Sequence, residues 1–305
     1  APPIIGIWYW CTDQYIVQRV LSAKNVSEAR KGTIFAGYLK LLPIFMFFIP
    51  GLIAYAMTKT GQLSYGSSDQ VFPTLVRELL PSGIRGLVAG GLLAALMSSL
   101  SSVFNSCSTL FTMDIYKKLY PETNEKKLVF VGRIATGIVV LSGILWIPFI
   151  KVVSGAGLYT YLQSVQAYIA PPIASVFLLG LFWSRINASG ALAALVGGFI
   201  AGMIRLGLEI KKEALTVDGI WYQIADLNFL YFAIFSFLTC VVVLIAVSML
   251  TPPPDLEKIN GLTYDTSKKN IPKADHPKSD KINSYIILAI LALILIYFSP
   301  IGIGG

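Results

Sequence analysis

Long apolar stretches separated by short polar segments make up most of this chain, and their lengths predict helices that cross a membrane. A helix needs ~20 mostly apolar residues to cross ~30 Å of hydrocarbon. Eight stretches meet that length, at roughly residues 4–22, 33–57, 83–116, 128–150, 157–183, 188–208, 227–250 and 283–299. The sequence therefore predicts an all-α, polytopic membrane protein.

Two of the segments between these spans have a character of their own. Residues 69–81 are amphipathic, and they are too short and too charged to cross a bilayer, so we expect a helix that lies at the membrane interface. Residues 251–282 are rich in Pro, Lys, Asp and Ser, which is the composition of a flexible loop.

Composition and charge support the membrane prediction. Hydrophobic residues make up 55% of the chain and charged residues only 13%, whereas about a quarter of a soluble domain is charged. The net charge of +8 could indicate nucleic-acid binding, but the basic residues lie in short loops rather than on one face. Alternating loops hold sixteen and seven Lys and Arg residues, so the richer set, with 251–282, is predicted to be cytoplasmic and both chain ends to face outside.

The residues needed for catalysis or a metal centre are scarce. Cys11, Cys107 and Cys240 all fall inside apolar segments and are interpreted as small buried hydrophobic residues. His276 is the only histidine and lies in a polar loop. Neither a metal centre nor a Ser-His triad can be assembled from this set, which argues against an enzyme.

Polar residues inside the spans are the candidate functional residues, because an unsatisfied polar group in hydrocarbon is costly. In the first span the aromatic run Trp8-Tyr9-Trp10 precedes Asp13. Flat rings beside donors and acceptors suit a sugar. An interfacial aromatic belt is the alternative. Gly6 and the Pro2-Pro3 pair favour a broken helix, as transporters use at midplane sites.

Two further polar residues stand alone within apolar spans. Lys40 lies about seven residues inside the second span, in a Lys-Leu-Leu-Pro context that weakens the helix and can open a cavity. Its alternative is snorkelling to the cytoplasmic interface. Gln163 lies in the fifth span, ahead of Pro171-Pro172, and its amide offers both donors and an acceptor to a sugar hydroxyl. An interhelical hydrogen bond is the alternative for Gln163.

The third span carries a run of small hydroxyl residues that follows Ala95 and includes Ser98 and Ser99. Such residues at helical spacing often permit close helix packing. The functional alternative is a sodium site, because a hard cation prefers several oxygen ligands and serine hydroxyls with a freed carbonyl one turn earlier supply them.

An ordered series of motifs resembles the sodium/glucose cotransporter branch of the sodium:solute symporter family. The motifs are WYWCTDQYIVQRVLSAKN, GYLKLLP, ALMSSLSSVFNSCSTLFTMDIYKK, YLQSVQAYIAPPIASVFLLGLFW and NFLYFAI. The resemblance implies a fold similar to that of the bacterial leucine transporter, with two inverted five-helix repeats. Residues 1–184 would be the second repeat, residues 185–305 peripheral helices, and the first repeat would be absent.

The same resemblance implies roles for individual residues. The implied sugar-binding residues are Tyr9, Trp10, Lys40 and Gln163, with Tyr9 closing over the sugar from the inner side. The implied sodium ligands, half of a site, are the carbonyl of Ala95 and the hydroxyls of Ser98 and Ser99. Asp13 would support the gate. Sodium would be the coupling ion, and no cofactor is expected. Bacterial galactose carriers have an asparagine where this chain has Gly6, so the sugar is left open.

The function predicted from these features is sodium-coupled symport of a sugar by alternating access, in the plasma membrane. The expected solute is a glucose- or galactose-type hexose or a related polyol. The alternative is a sugar-gated sensor or passive channel on the same scaffold. An embedded enzyme or a structural subunit would need a reactive constellation or assembly motif, and the sequence offers neither.

Overall fold

The computed structural model describes residues 2–153, 157–217, 219–267 and 277–299, and they form helices joined by short connections, with no strand among them. The helices in chain order are α1 Pro2–Ile7, α2 Gln14–Leu21, α3 Val26–Lys59, α4 Val71–Leu79, α5 Ser82–Thr109, α6 Lys117–Leu119, α7 Glu125–Val153, α8 Leu158–Phe182, α9 Ala188–Ile210, α10 Ile220–Asp226, α11 Phe229–Leu250, α12 Leu256–Ile259, α13 Tyr264–Ser267 and α14 Lys278–Tyr297. Trp8–Thr12 and Leu110–Tyr116 form π-helical turns.

Seven helices in the described part of the chain are long and apolar enough to cross a membrane: α3, α5 with its continuation to Leu119, α7, α8, α9, α11 and α14. They correspond to seven of the eight predicted spans. The remaining predicted span, 4–22, is divided into α1, a π turn and α2. The prediction of an all-α, polytopic membrane protein is therefore confirmed.

The chain forms two compact units, of which the first comprises residues 1–17 and 92–271. At its centre α8, α9 and α11 pack against one another, and we call these three helices the packed cluster. One face of α9 carries Gly190, Ala194, Gly198 and Gly202, all buried. A Cβ on Gly198 would lie 2.6 Å from Pro172 Cβ. Small residues at every fourth position thus let these helices approach closely, as is usual between spans in lipid.

The second unit comprises residues 18–91 and 272–305 and is organised around α3. The later part of α3 packs on α4, with Ala54 and Leu75 among its buried residues. α14 lies against the earlier part, where Tyr38 donates a hydrogen bond to Asn283 Oδ1 at 3.1 Å. The two units correspond neither to residues 1–184 nor to 185–305, and that division into repeat and periphery stays a prediction.

Several helix boundaries differ from those predicted. α3 begins at Val26 rather than near 33, because Asn25 caps it through its side chain, and it continues unbroken through Pro43 and Pro50. The expected weakening beside Lys40 therefore produces no interruption. Proline removes one backbone bond, here to the Leu39 carbonyl, and the rest of a long helix can tolerate that loss.

The predicted flexible loop 251–282 is partly helical. α12 and α13 lie within it, and α14 begins inside it at Lys278. Residues 268–276, with His276, lie outside the described residues. Residues 71–79 form helix α4, whose interfacial position stays a prediction. Of the three cysteines only Cys240 is buried, and Cys11 is exposed, so the expectation of three buried cysteines was wrong.

Candidate functional site

The first predicted span is broken at Asp13, which has an extended backbone (φ −75°, ψ 116°) between the π turn and α2. Asp13 serves as the cap of α2: its carbonyl accepts from the N–H groups of Ile16 and Val17 at 3.1 and 3.0 Å. A hydrogen bond also joins the Asp13 side chain to the Tyr15 backbone. Aspartate is a favoured N-cap, so the acid explains the break. A broken helix was predicted from Gly6 and the Pro2-Pro3 pair, and all three residues lie within α1.

The aromatic run lies in the π turn just before this break. The Tyr9 ring meets the Trp10 ring edge-to-face with centroids 5.4 Å apart. Its hydroxyl is 2.8 Å from the Tyr15 hydroxyl, so a hydrogen bond spans the break from the π turn to α2. Trp10 is 43% exposed within the described structure. Single π turns are frequent at functional sites, and this one presents flat rings beside backbone that is not regular helix.

Gln163 is half-buried on α8, and its amide donates to the Tyr159 hydroxyl at 3.2 Å. Both α1 and the π turn pack against α8. The elements that carry Tyr9, Trp10, Asp13 and Gln163 are therefore neighbours within the first unit. The amide retains hydrogen-bonding capacity beyond the tyrosine contact, because a glutamine side chain has two N–H donors and an acceptor oxygen.

The predicted sodium ligands Ala95, Ser98 and Ser99 lie on α5 and are all exposed. Residues three and four apart share one face of a helix, so the three belong to one polar face, which we call the serine face. The Ser98 carbonyl already accepts from the Ser102 hydroxyl at 3.0 Å. The serine face therefore presents oxygen atoms at its surface, and whether it binds sodium stays a prediction.

Lys40 belongs to the second unit, on α3, and its side chain is exposed. It is the fifteenth residue of α3, about 21 Å along the axis at 1.5 Å per residue. The earlier start of α3 thus places it further from the helix end than the sequence predicted. Its role as a sugar ligand stays a prediction.

A buried polar junction inside the first unit was not predicted from the sequence. Arg205 lies within α9 and is 3% exposed. Its guanidinium donates to the carbonyls of Ile224 and of Leu227, the latter at 2.7 Å. Tyr168 donates to Glu209. A charged residue inside an apolar span was the available signal, since such residues are rare and nearly always have partners.

Two buried hydroxyls near the second π turn were also missed. Ser106 and Thr112 are 5% and 6% exposed, and neither hydroxyl oxygen has a hydrogen-bond partner in the described structure. Close by, the Ser108 hydroxyl donates to the Gly132 carbonyl at 2.8 Å, which ties α5 to α7. Ser106 belongs to the run of small hydroxyl residues that follows Ala95, and periodicity alone does not separate the buried members of that run from its exposed ones.

The described residues form seven span-length helices and an interrupted segment that carries clustered aromatic rings, which is the architecture of a polytopic helical membrane protein. The sodium:solute symporter family matches residues 4–198, and the chain belongs to that family. It is a multi-pass protein of the plasma membrane.

The chain is also similar to three mammalian cotransporters. It is 40% identical to sodium/myo-inositol cotransporter 2 of Bos taurus over 296 residues, 90% of this chain and 44% of that protein. Human sodium/myo-inositol cotransporter 2 is 40% identical over 279 residues, 86% of this chain and 41% of that protein. Human sodium/myo-inositol cotransporter is 40% identical over 283 residues, which are 87% of this chain and 39% of that protein. The chain spans less than half the length of these curated relatives.

Proposed function

We propose that the full-length protein is a sodium-coupled symporter for a small, ring-shaped polyhydroxylated solute. The observation that carries this proposal is the interrupted first span, whose π turn bears Tyr9 and Trp10 and packs against the helix of Gln163. Rings stack on the C–H face of a cyclic polyol, and amide groups hydrogen-bond its hydroxyls. Membership of the sodium:solute symporter family supports coupling to sodium.

We propose myo-inositol as the first solute to test, with glucose and galactose as competitors. Relatives with 38–42% identity are named sodium/myo-inositol cotransporters, which supports a cyclic polyol. Gly6 is consistent with a solute other than galactose, because it lacks the side chain of the asparagine implied for galactose carriers.

The proposed roles of the residues follow from their chemistry. Tyr9 and Trp10 form the ring surface, and Gln163 hydrogen-bonds hydroxyls. Asp13 caps α2 and so stabilises the break between α2 and the π turn that carries Tyr9 and Trp10. The Ala95 carbonyl and the hydroxyls of Ser98 and Ser99 contribute to a sodium site, and Lys40 keeps its predicted role as a donor to a solute hydroxyl. Sodium is the only ion or cofactor that this function requires.

Coupling needs sodium and solute to favour the same conformational state. A membrane potential of ~100 mV supplies about 2.3 kcal/mol per sodium ion, before any concentration gradient is added. If sodium binding favours the outward-open state, release of sodium inside frees the solute.

Uptake of labelled myo-inositol into proteoliposomes that contain the full-length protein tests the proposal. An inward sodium gradient should drive accumulation above the external concentration, and unlabelled hexoses should compete in order of affinity. A sensor or passive channel on the same scaffold would equilibrate the solute, or move only ions, whether or not the gradient is present. Equal final levels with and without the gradient would therefore exclude symport.

A further inference from the structure

A small charged cleft lies where α3 and α14 begin, within the second unit. Its volume is about 340 Å³, and its lining residues are Arg30, Asp280, Lys281, Ser284 and Tyr285. Arg30 is in the second turn of α3, and Asp280 and Lys281 are in the first turn of α14. The cleft therefore sits at neighbouring starts of two helices that are able to span a membrane.

A buried ion pair fixes one wall of this cleft. Asp280 is 6% exposed, and its Oδ2 lies 3.5 Å from Arg30 Nη1. No hydrogen bond reaches that oxygen in the part of the chain that the structure describes. A buried carboxylate needs a charge partner, so Asp280 holds the Arg30 guanidinium at the cleft. That guanidinium has five N–H donors in a planar fork that matches the oxygens of a phosphate.

The charge of the lining favours an anion. Arg30 balances Asp280, which leaves the charge of Lys281 in excess. Lys281 is exposed, so its ammonium is available at the rim. The N-termini of α3 and α14 add partial positive charge at the same place. A group with one negative charge and several acceptor oxygens meets all of these features.

The surroundings point to a lipid as the source of that group. Tyr285 of the lining is 69% exposed, and apolar side chains close in sequence to the cleft residues are exposed as well, with Phe35 at 63% and Ile282 at 56%. They offer a surface for acyl chains next to a polar pocket. Arg30 and Lys281 both belong to the loops predicted to be cytoplasmic, and basic pockets between spans on that side are known to take anionic headgroups.

We propose that this cleft binds the phosphate of an anionic phospholipid, with Arg30 and Lys281 as its donors. The bound lipid fastens the starts of α3 and α14 to the inner leaflet. The inference is independent of the transported solute, since it concerns a separate set of residues and makes no use of the serine face or the aromatic run.

Lipid retention by the purified full-length protein tests this site. Native mass spectrometry in mixed micelles of phosphatidylglycerol and phosphatidylcholine gives the ratio of the two bound lipids. Lys281→Gln should lower the phosphatidylglycerol preference about tenfold, the loss expected for one charge-assisted hydrogen bond. Arg30→Lys keeps a positive charge beside Asp280 and should lower the preference less. Lys118→Gln removes an exposed lysine of the same predicted side and should leave the preference unchanged.

Three results would overturn the proposal. The wild-type protein could retain the two lipids equally, or Lys281→Gln and Lys118→Gln could lower retention by the same factor, which would mean unspecific attraction. Inorganic phosphate could displace phosphatidylglycerol and protect the protein against heat equally well, which would assign the cleft to free phosphate. None of these measurements requires transport, so their failure is distinguishable from failure of the proposed symport.

Discussion

The packed cluster of α8, α9 and α11 differs from the serine face of α5 in how far its polar residues are buried. In the most apolar stretch of α8, 39% of the residues are buried. In the most apolar stretch of α5, no residue is buried. Within the cluster the Ser175 hydroxyl is fully buried and donates to the Pro172 carbonyl at 2.8 Å. Ser98 and Ser99 are exposed. The same residue type is thus buried and paired in one region and exposed in the other.

The largest expected effect concerns the packing of the cluster. Gly198→Leu should destabilise the protein by about 3 kcal/mol or prevent folding, because a Cβ there would already lie 2.7 Å from Cys240 Sγ, and overpacking is costly. Gly197→Leu is the matched control, since nothing lies within 4 Å of its added Cβ. The thermal midpoint of the detergent-purified protein measures both. Equal losses would show that α9 does not pack through one face.

The next effect separates the two kinds of serine. Replacing Ser99 by alanine in the full-length protein should raise the sodium concentration for half-maximal uptake by about tenfold, as expected when one ligand of a charged group is lost. The thermal midpoint should hardly change, because Ser99 is exposed. Ser175→Ala should do the reverse, lowering the midpoint without altering the sodium dependence. If Ser99→Ala leaves sodium dependence unchanged, the serine face is not the sodium site.

The third prediction concerns Gln163, because its helix α8 belongs to the packed cluster and also contacts the π turn of Tyr9 and Trp10. Gln163→Ala should raise the apparent Km for myo-inositol roughly five- to tenfold, the cost of one or two neutral hydrogen bonds. Gln166→Ala, one turn further along the same helix and also half-buried, is the control for general effects on α8. An identical change in both variants would argue for helix placement rather than direct contact with the solute.

The smallest effect is expected at Gly6, which like the serine face has free space around it. No atom lies within 4 Å of a Cβ placed there, so Gly6→Asn should fold normally. The new amide should shift the ratio of galactose to myo-inositol uptake a few-fold toward galactose, as one added neutral hydrogen bond would. Competition between the two labelled solutes measures the ratio, and an unchanged ratio would exclude Gly6 from the solute site.

Much of the fold could be predicted because it depends on local composition. Seven spans follow from the length of apolar stretches, and the motif order predicted the family that the match over residues 4–198 confirms. Helix ends were less accurate. α3 starts seven residues before the predicted position because Asn25 caps it, and a capping residue inside a polar segment attracts little attention in a search for apolar runs.

The candidate site was predicted only in part. Tyr9 and Gln163 lie on elements that pack together in the first unit, as a shared role would require. Gly6 and the Pro2-Pro3 pair suggested a broken helix without giving its position, and the break lies at Asp13, whose carbonyl caps α2. The sequence indicates no role for Arg205, since its carbonyl partners lie some twenty residues further along the chain and no local pattern indicates them.

By itself the sequence determined that this chain is a polytopic helical protein of the sodium:solute symporter family. The length of apolar stretches and the order of motifs can be read from consecutive residues. Because exposed polar backbone groups are costly in lipid, a long apolar stretch must form a helix to cross the membrane. Only the tertiary structure decided which polar residues are buried and paired. Arg30 and Asp280 are 250 positions apart in sequence, yet their charges meet at 3.5 Å because α14 packs along α3. Contacts of that range depend on how helices pack.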